Sequence, residues 1–127
     1  TEAFNLVSAA FKMPKDTDEN KAARSKAIAD ATLAATEVPF ETLTLCMEGL
    51  KVTETIVGKS NPNAASDLGV AALNLLAGIK GAWLNVMINL PGVKDEATKA
   101  KFAEGAKMVE EAEAIADAIY KKVLESL

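Results

Sequence analysis

The sequence has no histidine, one cysteine and one arginine, and it is poor in aromatic residues (5%), glycine (7) and proline (4). Each shortage excludes something. Without His, and with only Cys46, a protein zinc site lacks its usual ligands. Triads and dyads built on an imidazole base have no base. A lone Cys cannot form an internal bridge, which removes the disulfide-stapled secreted class. Arg24 is the only Arg, and Asp+Glu (18) exceed Lys+Arg (14) for a net charge of −4. The Arg-rich basic patch of a nucleic-acid binder is therefore missing, and no nucleic-acid partner is expected. Thr1-Glu2-Ala3-Phe4 has no basic region followed by an apolar run, so it does not read as a signal peptide. It also lacks an initiator Met, as expected of a processed chain or one that starts inside a longer protein.

What remains is 127 residues, half of them hydrophobic, with 24 alanines. The length suits one domain, and a chain of this size buries roughly two-thirds of its unfolded surface without metals or disulfides. Alanine is the best helix former, and β-branched residues are sparse. The composition predicts an all-α chain, an antiparallel bundle of four to five helices spanning 1–127 as a single helical domain.

The first segment, to about residue 12, has Phe4, Val7 and Phe11 on one face, with Pro14 ending it. Asp16 or Thr17 caps a second helix to about Val38, whose inner face is Ala27, Ile28, Ala31, Ala34, Ala35 and Val38. Pro39 either opens a third helix or kinks one long helix. Leu43, Met47, Leu50 and Val57 mark the next apolar face, and Gly58 reads as its C-terminal cap. The fourth helix runs from near Asn63 or Ser66, either of which could cap it, to Leu90. Its stretch from Leu68 to Val93 holds one charge, Lys80, and is long enough to span a membrane. Glycines, three Asn and the central Lys80 argue against that, so no membrane partner is expected and the pattern predicts a central helix covered on most sides. Asp95 caps a fifth helix, 96–126, with a buried stripe of Phe102, Ala106, Val109, Ala112, Ala116, Ile119 and Val123.

The fourth helix carries the most informative signal. Advancing about 100° per residue from Asp67, the residues Asn74, Gly78, Gly81, Asn85 and Asn89 fall within roughly 80° of arc. Buried amides are unfavourable unless bonded. The stripe is therefore either a helix–helix seam with the Asn side chains bonding across it, or the lining of a pocket for a flat polar ligand. Just ahead, Asn63, Ser66 and Asp67 sit at a helix N-terminus, where free N–H groups suit an anion, although plain capping explains them equally. Lys12 and Lys15 flank the Pro14 turn as solvated charges or contacts for an anionic tail. Arg24 reads as a surface residue and Cys46 as a structural one.

The string from Asn63 to Ala72, then Gly81-Ala82-Trp83-Leu84-Asn85-Val86-Met87-Ile88-Asn89, resembles the formimidoyltetrahydrofolate cyclodeaminase and methenyltetrahydrofolate cyclohydrolase family. So do Ala3-Phe4, Phe11-Lys12-Met13-Pro14-Lys15, Arg24 and Glu37-Val38-Pro39. The resemblance implies a helical homodimer, cytoplasmic and without metal, whose substrate is a tetrahydrofolate derivative. It implies interconversion of N5-formimino- or N10-formyl-tetrahydrofolate with the 5,10-methenyl form. A carboxylate that accepts a proton or stabilises the cationic ring suits that reaction. On this reading Asp67 is catalytic, Asn63, Ser66, Asn85 and Asn89 orient the pterin, and Lys12 or Lys15 meets the glutamate tail. Family members carry a longer N-terminal portion, with a Gly-rich helix start and an acidic residue just ahead of the Ala-Phe pair. The chain is therefore expected to be the C-terminal two-thirds of such a domain. The rival expectation is a helical oligomerisation module, or inactive fragment, that keeps the scaffold without the chemistry.

Overall fold

The computed structural model describes residues 1–127 as five α-helices and no strand. They are α1 (Glu2–Phe11), α2 (Asp18–Ile56), α3 (Ala65–Asn89), α4 (Glu96–Ala103) and α5 (Gly105–Ser126). Single 3-10 turns, Pro62–Ala64 and Leu90–Gly92, flank α3. The all-α bundle expected from composition is what forms.

Local signals set most boundaries. The Thr17 hydroxyl accepts from the Asn20 amide at 3.1 Å, and the Asp95 carboxylate accepts from the Thr98 amide at 2.9 Å, each meeting an amide the helix leaves unpaired. Gly58 takes φ +79° just past α2, a conformation that favours glycine. Pro39 lies inside α2, so the two helices that the sequence allowed are one helix of 39 residues. At the start of α3 the cap is neither Asn63 nor Ser66. The Asn61 side chain accepts from the Asn63 amide at 3.0 Å and opens the 3-10 turn instead. The expected fifth helix is two, broken at Glu104. The break resets the register, so Ala106 is exposed and Gly105 is buried in its place. A Cβ at Gly105 would lie 2.6 Å from the Trp83 ring, so any side chain there would force the ring or the helix to shift.

The main core joins three helices: Leu43, Met47 and Leu50 of α2, Ala72, Ile79 and Ala82 of α3, and Ala112, Ala116, Ile119 and Val123 of α5. A smaller cluster of Val86, Val93 and Phe102 is closed by Phe40, whose ring lies 5.1 Å from that of Phe102. The helix α1 runs antiparallel along the first half of α2, with Met13 near Ala27 and Phe4 near Val38. Arg24 is more than a surface residue. Its guanidinium donates to the Phe11 carbonyl at 3.3 Å and stacks on the Phe11 ring, closing the end of α1.

Two packing expectations fail. Val38, Phe4 and Phe11 are exposed, not buried, and Ala10 is the buried residue of α1. More consequentially, α3 is not covered on most sides. Val70, Leu73, Leu84 and Ile88 form an outward face, with Ile88 78% exposed. By length and composition the segment Pro62–Gly92 could cross a membrane, and 22% of its most apolar window is buried in this fold. Lys80, on that helix, pairs with Glu113 of α5. A helix that is apolar all round supplies no periodic signal for which side meets the core, which is why the pattern misled.

Candidate functional site

A groove of about 520 Å³ opens where α1, the middle of α2 and the second half of α3 meet. Phe4 and Val7 form one wall and Ala35, Val38, Pro39 and Thr42 the second. Gly78, Ala82, Asn85 and Asn89 form the third. Its polar side chains are hydroxyls and carboxamides, and no side chain lining it carries a charge.

The polar stripe of α3 divides. Asn85 and Asn89 reach the groove together with Gly78. The Asn89 Nδ2 donates to the Asn85 carbonyl at 2.9 Å and, across the helix pair, to the Ala35 carbonyl at 3.3 Å. Gly78 also serves as a seam. A Cβ there would lie 3.2 Å from the Cys46 sulfur, so its absence lets α2 and α3 approach. Gly81 has nothing within 4 Å of a built Cβ, and Asn74 is exposed. Seam and pocket are thus both present on one stripe, with Gly78 and Asn89 serving in both.

The other expected site residues lie elsewhere. Asn63, Ser66 and Asp67 are exposed at the N-terminal end of α3. Asp67 stands 18 residues from Asn85, about 27 Å along the helix axis. A second hollow of about 160 Å³ near that end is lined by Ser60, Asn61 and Lys122 among others, and by none of those three residues. Lys12 and Lys15 are exposed at the far end of α1, with Lys12 about 12 Å along the axis from Phe4. Within one chain, then, the amides are brought to the groove and the carboxylate is not. Sequence reading missed Thr42, Phe4 and Pro39 as lining residues. The mid-helix proline was the one signal available.

Comparison with known proteins places this arrangement. Residues 1–108 match the family model described as formiminotransferase-cyclodeaminase. The chain is 40% identical over 123 residues to a methenyltetrahydrofolate cyclohydrolase from Methylorubrum extorquens, spanning 96% of this chain and 59% of that protein. It is 36% identical over 99 residues to the formimidoyltransferase-cyclodeaminase of Sus scrofa, covering 78% of this chain and 18% of that one. The fold superposes on the crystal structure of formiminotetrahydrofolate cyclodeaminase from Thermotoga maritima with a TM-score of 0.71 and 27% identity. That superposition covers 99% of this chain and 57% of that chain. The chain therefore spans well under two-thirds of the length of these relatives. With the family pattern running from its first residue through Met108, the chain belongs to the formiminotransferase-cyclodeaminase family.

Proposed function

We propose that the protein containing this chain is an enzyme of folate one-carbon metabolism. It interconverts N5-formimino- or N10-formyl-tetrahydrofolate with 5,10-methenyltetrahydrofolate. The observation that carries the reading is the 40% identity across 96% of this chain to a methenyltetrahydrofolate cyclohydrolase. The groove supports it: apolar walls from Phe4, Val7 and Val38 suit a flat ring system, and Thr42, Asn85 and Asn89 offer donors and acceptors to its edge. Lys12 and Lys15 lie beyond the groove along α1, where an extended anionic tail would meet them.

Closing or opening the methenyl ring moves a proton and builds positive charge at an amidine-like carbon, so a carboxylate is needed nearby. We assign that role to Asp67, supplied by a second copy in a homodimer. The exposed apolar face of α3 supports this pairing. An antiparallel α3 pair centred near Ala77 and Gly78 sets Asp67 of one copy level with Ile88 of the other, beside Asn85 and Asn89, with Asn63 and Ser66 following it. On this reading the outer face of α3 is covered by protein rather than lipid, and the lone reduced Cys46 fits a cytoplasmic enzyme.

One observation favours a second reading, in which the chain by itself is a binding and assembly module. The groove of a single chain holds no charged side chain. Titration with 5-formyltetrahydrofolate separates the two when run on this chain and on a protein of full family length, together with turnover by the methenyl absorbance. Binding with turnover supports the enzyme, and binding without turnover in both supports the module. No heat in either sinks both folate readings. In the full-length protein, Asp67→Asn with unchanged turnover and unchanged affinity would remove Asp67 from the mechanism.

A further inference from the structure

A proline inside a helix withdraws one N–H and pushes the carbonyl four residues earlier off its axis. In α2 that carbonyl belongs to Ala35, four residues ahead of Pro39. It is the carbonyl that Asn89 meets from α3, at 3.3 Å, while the same Nδ2 donates to the Asn85 carbonyl at 2.9 Å. A carboxamide nitrogen has two protons, and both are engaged. The orientation is thereby fixed, because the opposite flip would set an oxygen against two carbonyl oxygens. What Asn89 has left is its Oδ1 acceptor, and Asn89 is one of the residues that line the groove.

We propose that Pro39 is a positioning residue. The amide it withholds leaves the Ala35 carbonyl to Asn89, and this latch holds Asn89 as an acceptor facing the groove. It selects a ligand edge that donates at that point, such as the N–H groups of an aminopyrimidinone ring, and disfavours an edge of acceptors alone. A mid-helix proline weakens the helix relative to alanine. The fold therefore gives up stability at the position that frees the carbonyl for the groove. That the ligand is a folate rests on the reading above, whereas the latch does not.

The test is Pro39→Ala, followed by the shifts and exchange rates of the Asn89 side-chain amide protons, by thermal melting, and by titration with 5-formyltetrahydrofolate. The restored amide takes back the Ala35 carbonyl. The Tm then rises by several degrees, the Asn89 protons exchange about tenfold faster, and affinity falls about tenfold, the weight of one hydrogen bond. Asn89→Ala loses similar affinity without the gain in Tm. Asn89 protons as slow in Pro39→Ala as in the wild type overturn the proposal. Freed protons with unchanged affinity overturn the positioning role. A wild-type protein that takes up no folate refutes the folate reading, and the proton exchange still decides for or against the latch.

Discussion

The two sides of α3 have nearly the same chemistry and opposite fates. The inner side, Ala72, Ile79 and Val86, is completely buried against α2, α5 and the α4 region. The outer side, Val70, Leu73, Leu84 and Ile88, is just as apolar and lies open, with Leu84 64% exposed. Between them runs the stripe of Asn and Gly that reaches the groove. The contrast teaches that apolar character alone does not decide which side of a helix makes the fold. The polar stripe marks the border between the two sides.

Substitutions on the two sides should tell them apart, and the largest effect belongs inside. Ile79→Ala removes a fully buried side chain and should lower unfolding free energy by about 2–5 kcal/mol in denaturant titration. Gly105→Ala comes next, because its Cβ would lie 2.6 Å from the Trp83 ring. Overpacking of this kind should destabilise by about 1–3 kcal/mol. Gly81→Ala, where a Cβ meets nothing within 4 Å, should go the other way, gaining up to about 1 kcal/mol from helix propensity. On the outer side, Leu84→Ser with Ile88→Ser should leave the dilute chain's stability within about 0.5 kcal/mol of wild type. The same pair should abolish self-association in light scattering. A loss of stability as large as that of Ile79→Ala would mean that the two sides do not differ as described.

The smallest effect is on pH. Bonds from Thr98 to Asp95, and from Asn20 to Asp16, hold these exposed carboxyls below the ordinary aspartate value near 3.8. A carboxyl lowered by folding adds stability above its unfolded value, and the addition fades as pH falls through the folded one. Asp95→Asn should lower the melting temperature slightly at neutral pH, leave it unchanged in strong acid, and so flatten the acid limb of the profile.

Features set by neighbours in sequence were legible before any fold was known. Thr17 and Asp95 as caps, Gly58 past α2, and the helical class follow from a few adjacent residues. The stripe on α3 was legible because it needs only the helical period. The partners of the stripe were not. Phe4 and Val38 join Asn89 only because α1 folds back along α2, and Ala35 meets Asn89 across 54 positions. Arg24 closing α1 spans 13. Grouping Asp67 with Asn85 on one face was sound angularly, but the axial rise separates them within a chain. The inner and outer sides of α3 were indistinguishable because both read as apolar.

The proposed folate site is the groove between α1, α2 and α3. Calorimetric titration of 5-formyltetrahydrofolate into wild type and Asn85→Leu tests it, since Asn85 is exposed and its replacement leaves the core intact. The account predicts saturable heat with wild type, and loss of that heat in Asn85→Leu with an unchanged melting temperature. Equal affinity in the two proteins would contradict it.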